Sequence, residues 1–192
     1  MKPLSWELPS GTRSVDVFRC LSDQPHCLFL DSAQQHPTWG RFSYVAADPH
    51  RFLTVPADGR EALRTLDTAL ADCPCDPLAE RPPFQGGAAG LLSFDLARSL
   101  ERLPRARHEE FPVPAIALGL YDVVIAFDHL QSRGWILSQG WPETDPTRRR
   151  DRAQRRLQEF QQRLARNPQS VPPCVVTPPP CDLPSDSPRH PV

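Results

Sequence analysis

YDVVIAFDHLQSRGWILS (121–138) is the stretch on which the fold turns. Tyr121, Val123, Ile125 and Phe127 share one parity, while Asp122, Val124, Ala126 and Asp128 share the other. A period of two belongs to a strand, here with one drier face. Trp135 to Ser138 is a second short apolar run, and the polar Gln131-Ser132-Arg133-Gly134 lies before it. Two such runs joined by a short glycine-containing link predict an antiparallel hairpin.

Further strand signals lie upstream. Cys27 to Leu30 is a short apolar run, and Phe42 to Val55 is rich in Tyr, Val, Phe and Leu, with Asp48-Pro49 marking a place where the chain must turn or bulge. Three helices fit between and after the strands. Ser14 can cap one in which Val15, Phe18 and Leu21 form a stripe. Glu61 to Ala71 carries Leu63, Leu66 and Leu70 at three- and four-residue spacing. Arg148 to Arg166 repeats Ala153, Leu157, Phe160 and Leu164 on one stripe, over a length of about 28 Å at the usual helical rise. Strands outnumber helices and do not alternate regularly with them. The predicted class is therefore α+β, with a mostly antiparallel sheet and about three helices.

A chain of 192 residues fits one domain, whose core removes about 70% of the unfolded surface from water. We place that domain at residues 1–166. Nine of the 24 prolines fall in Asn167–Val192, where no apolar period survives, so 167–192 reads as an extended Pro-rich linker or tail. A linker that joins nothing further suggests a following domain, and a natural tail is the alternative.

Charge narrows the partners. Lys and Arg total 22 against 23 Asp and Glu, a net charge of −1, so nothing pulls the chain as a whole toward nucleic acid or an anionic membrane. Arg148, Arg149, Arg150, Arg152, Arg155 and Arg156 are interleaved with Asp145, Asp151 and Glu159 and lack neighbouring aromatic residues for base stacking. They read as a solvated helix face. No stretch approaches the ~20 apolar residues of a membrane span, and the start, MKPLSWELPSG, has no signal-peptide run. The six cysteines lack the C-x2-C pairing of a closed zinc site, and scattered thiols of this kind point to the cytoplasm.

Chemistry-bearing groups do not converge. Glu109 and Glu110 are sequence neighbours and in an extended segment point to opposite faces. Asp122 and Asp128 share a strand face but stand about 20 Å apart by strand rise. Lys2 is the only lysine, which counts against Schiff-base chemistry, and no histidine lies beside a plausible nucleophile in the way a triad would require. The glycines of GGAAG (86–90) lack the order of a phosphate-binding loop and fit close backbone packing in a strand.

Three segments carry a resemblance: LFLDSAQQHPTWGRFSYVAADP (28–49), PPFQGGAAGLLSFDLARSLERLP (82–104) and ALGLYDVVIAFDH (117–129), followed by Trp141-Pro142-Glu143. In order and spacing they resemble the amino-terminal region of component I of aminodeoxychorismate synthase and, more distantly, of anthranilate synthase. The second segment and LYDVVIAFDH look more like the former.

The resemblance implies one layer of a larger α/β body whose longer carboxy-terminal part, absent here, holds chorismate and Mg²⁺. It also implies a glutamine amidotransferase partner that supplies ammonia, and a product, aminodeoxychorismate, that leads to 4-aminobenzoate and folate. This chain alone is then non-catalytic, with no cofactor or metal of its own. The alternatives are the corresponding domain of anthranilate synthase, in tryptophan biosynthesis, and a free-standing module that binds an aromatic amino acid.

Ser32, Trp39, Arg41 and Phe42 match positions at which the family holds L-tryptophan. Such a ligand needs a hydroxyl or carbonyl for its ammonium, a cation or backbone donors for its carboxylate, and apolar walls for its indole. Anthranilate synthases usually read Glu-Ser where Asp31-Ser32 stands here. In the competing reading, Ser32 ends a strand, Trp39 and Phe42 pack in the core, and Arg41 pairs with Asp48 or Asp95.

Overall fold

A five-stranded sheet lies beside a three-stranded one, and two crossovers join them in a computed structural model that describes residues 1–165 apart from 33, 35, 37, 57–60 and 105–112. The Pro-rich segment 167–192, Arg166, Glu109 and Glu110 lie outside the described residues. The first sheet has the order β1 (Leu4–Glu7), β8 (Arg133–Ser138), β7 (Val123–Asp128), β3 (Phe42–Ala46), β2 (Leu28–Leu30). The second runs β4 (Arg51–Val55), β6 (Ile116–Tyr121), β5 (Gly87–Leu92). Every paired strand is antiparallel. The helices are α1 (Ser14–Leu21), α2 (Ala62–Ala71) and α3 (Pro146–Ala165), with a 3₁₀ stretch at Phe94–Ser99. This is the α+β, antiparallel class read from the sequence.

The hairpin forms with Ile125 opposite Ile136 and Asp128 opposite Arg133. Its turn lies at 129–132, with Ser132 at φ +53°, so Arg133 and Gly134 belong to the strand rather than the turn. Two further features of the 121–128 reading change. Tyr121 ends β6 in the small sheet, and Asp122 is the single residue that carries the chain into β7 of the large one. Nor does β7 have one dry and one wet face, because all six of its residues are buried. Val123, Ile125 and Phe127 pack with Ile136 and Val45 under α1 and α3, through Val17, Leu21, Leu157 and Phe160. On the opposite face, Val124 and Ala126 lie against Tyr121, Phe84, Ala89 and the Leu78 loop. Small residues and a central position explain why alternation alone understated this burial.

The break at Asp48-Pro49 is the other crossover. It takes the chain from β3 in one sheet to β4 in the other, with Asp48 at φ +50°. In β5, Gly90 (φ +144°) lies so close to the Ala117 carbonyl of β6 that a Cβ would collide with it, which is the close packing expected of GGAAG.

The helices depart from the expected stripes in informative ways. Ser14 is the first helical residue of α1, and Arg13 occupies the cap position without a side-chain cap, binding Asp16 at 2.7 Å instead. In α2 the buried positions are Ala62 and Ala69, with Leu66 partly buried against Leu53, Ile116, Leu118 and Leu120, while Leu63 and Leu70 are exposed. Alanines bring the helix close to the sheet, and their small size hides that face from a search for large apolar residues. In α3 the stripe Ala153, Leu157, Phe160 is buried as expected. The arginines, however, are not one solvated face. Arg148, Arg150 and Arg155 are exposed, whereas Arg149 is buried and Arg152 and Arg156 reach inward to protein oxygens.

Candidate functional site

The end of the large sheet where β2 stops, β3 starts and β7 finishes gathers most of the residues singled out above. Antiparallel register sets Phe42 opposite Asp128, so the residues flanking β3 meet those that follow β7. Ser32, just past β2, donates its hydroxyl to the Phe42 carbonyl at 2.5 Å, and its backbone N–H donates to Ser43 Oγ at 3.0 Å. Arg41 forms a forked pair with Asp128, with Nε 3.1 Å from both carboxylate oxygens and Nη2 2.6 Å from one. Its partner is thus neither Asp48, which binds Arg156, nor Asp95, which binds Arg98. The Arg41 guanidinium also lies over the Phe42 ring, 4.8 Å from its centre.

Asp128 is almost wholly buried. Burial alone would raise its pKa, but the Arg41 fork and the backbone N–H groups of Gln131 and Leu130 outweigh it and hold the carboxyl below the usual range. Trp39 is set apart. It is 86% exposed on a turn where His36 Nδ1 accepts the N–H groups of Thr38 and Trp39, both at 3.2 Å, so it neither packs in the core nor walls an enclosed pocket. Of the four residues, Ser32, Arg41 and Phe42 come together and Trp39 does not.

Sequence reasoning missed Ser43 and His129, which are 86 positions apart and meet at 2.7 Å. Ser43 Oγ also lies 3.0 Å from Asp31 Oδ1. A hydroxyl has one proton and two lone pairs, and an ionised carboxylate can only accept. Ser43 therefore donates to Asp31 and accepts from the Ser32 N–H and from His129 Nε2–H, which assigns the histidine tautomer. Ser43 is fully buried and its hydroxyl fully used, so the pair is a structural clasp and not a nucleophile with its base. A signal was available: FSYVA and the Asp-His step after VVIAF place polar residues at the ends of apolar strands, where they must bond one another.

Two further polar centres surround α3. Asp122, fully buried, faces Arg156 at 3.3 Å and Arg152 at 3.8 Å, and Arg156 also binds Asp48 and Glu159. Near the start of the helix, Gln139 donates to Gln85 O at 2.7 Å, and Arg149 donates to the carbonyls of Gln139 at 2.9 Å and Pro74 at 2.8 Å. These groups knit the loop at 74–86 to the helix. Among the described residues no three His, Cys, Asp or Glu side chains are grouped to hold a metal ion, and no helix is long and apolar enough to cross a membrane.

No family model matches the chain. It is 29% identical over 140 residues to aminodeoxychorismate synthase component 1 of Klebsiella aerogenes, covering 66% of this chain and 31% of that protein. Against the enzyme of the same name from Escherichia coli it is 31% identical over 137 residues, 63% of this chain and 30% of the relative. Anthranilate synthase component 1 of Mycobacterium tuberculosis H37Rv is 30% identical over 160 residues, 72% of this chain and 31% of the relative. The matched stretch spans about three-tenths of each relative's length. Over that stretch the chain is a homologue of component 1 of the aminodeoxychorismate and anthranilate synthases.

Proposed function

We propose that this chain is the amino-terminal, non-catalytic domain (1–166) of an aminodeoxychorismate synthase component I, joined by the linker 167–192 to a chorismate-binding part. The observation that carries this reading is the match to about three-tenths of relatives named as component 1. The whole enzyme would aminate chorismate with ammonia from a glutamine amidotransferase, and its product would feed 4-aminobenzoate and folate synthesis. The Mg²⁺ expected of the complete enzyme would be held by the chorismate-binding part. Leu91, Leu92, Phe94 (91% exposed) and Leu100, at the end of β5 and in and after the 3₁₀ stretch, are exposed large apolar residues, which suits a domain built to meet a second layer.

The purified chain, given chorismate, ammonia and Mg²⁺, is expected to release no aminated product. Turnover by these 192 residues alone would overturn the assignment.

Anthranilate synthase is the second reading, supported by relatives of that name that align over 72% of the chain. Under either reading Ser32, Arg41 and Phe42 would form one wall of a site for L-tryptophan, with Trp39 at its rim. Arg41 is already committed to Asp128, and the ligand carboxylate would need other donors. Calorimetry of the isolated chain with millimolar L-tryptophan is therefore expected to show weak heat or none. Tight binding would assign a complete pocket to this chain and favour the free-standing amino-acid-binding module.

A further inference from the structure

We draw no further inference here: the strongest candidate, the exposed apolar patch of Leu91, Leu92 and Phe94 at the end of β5 in the three-stranded sheet, belongs to the surface already given to a second layer, and nothing in the structure shows what covers it.

Discussion

Arg156 and Asp122 meet at 3.3 Å inside the protein, and through this pair one helix holds both crossovers between the two sheets. Asp122 is the link from β6 to β7, and Asp48, on the link from β3 to β4, binds the same guanidinium at 2.8 Å through its carboxylate and at 2.8 Å through its carbonyl. The guanidinium remains charged, because the carboxylates of Asp122, Asp48 and Glu159 outweigh the burial that opposes it and raise its pKa.

Arg156→Met leaves Asp122 buried with Arg152, 3.8 Å away, as its one remaining cation among the described residues. Loss of one partner of a buried pair costs about 3–5 kcal/mol, and the residual Arg152 contact places this case near 3. Urea unfolding of Arg156→Met, Asp122→Asn and the double variant measures it. Additive losses would show that the two residues do not act together.

His50 gives the chain an acid-sensitive point. Its backbone N–H binds Leu120 O, its ring packs on Trp141, Nε2 lies 3.9 Å from Cys73 Sγ, and the buried Nδ1 has no partner among the described residues. Burial lowers its pKa, with Asp122 and the Leu120 backbone opposing and Arg152 and Arg51 adding to the fall. The unfolded chain therefore takes up this proton first. Stability is complete above the unfolded value of about 6.5 and declines as the pH falls from there toward the lower folded value. Unfolding free energies measured from pH 7.5 to 5 should show that decline, and His50→Gln should flatten it. An equal slope in the variant would assign the effect elsewhere.

Ser43→Ala removes the acceptor of the half-buried Ser32 N–H and of the Nε2–H of His129, a residue exposed to water. We expect a loss of about 1 kcal/mol, read by chemical denaturation. In the unaltered chain, two-bond proton–nitrogen NMR correlations should show His129 protonated at Nε2. The opposite tautomer would mean that Ser43 donates to His129 and leaves Asp31 without its hydroxyl bond.

Gly140 sits at φ +74° between β8 and α3, and a Cβ there would press on the Arg149 carbonyl and come within 3.1 Å of Ala153 Cβ. Gly140→Ala should lose at least the ~1–2 kcal/mol of the left-handed backbone, visible as a lower urea midpoint. A neutral substitution would show that the helix start can shift away.

Apolar composition sufficed for the strand at 42–46 and for 135–138 of the strand at 133–138, and periodicity for the strand at 123–128 and the buried stripe of α3, because large apolar residues on a strict period have few other places to go. It failed at α2, where alanines form the buried face, and at 121–128, where one residue changes sheets without interrupting the apolar run. At the candidate site, Ser32, Arg41 and Phe42 were marked by their neighbours in sequence, whereas Asp128 and His129 are joined to them only by strand pairing.

The order of residues alone determined the class of fold, the hairpin, the amphipathic last helix and the likeness to the synthases, since each rests on short-range spacing or on matched segments. Only the tertiary structure decided the partner of Arg41, the burial of Arg149 and Arg156, and the division of one apolar run between two sheets. The reason is physical. A charged side chain takes whichever opposite charge or carbonyl lies within about 3 Å once the sheets have packed, and that distance bears no relation to separation along the chain.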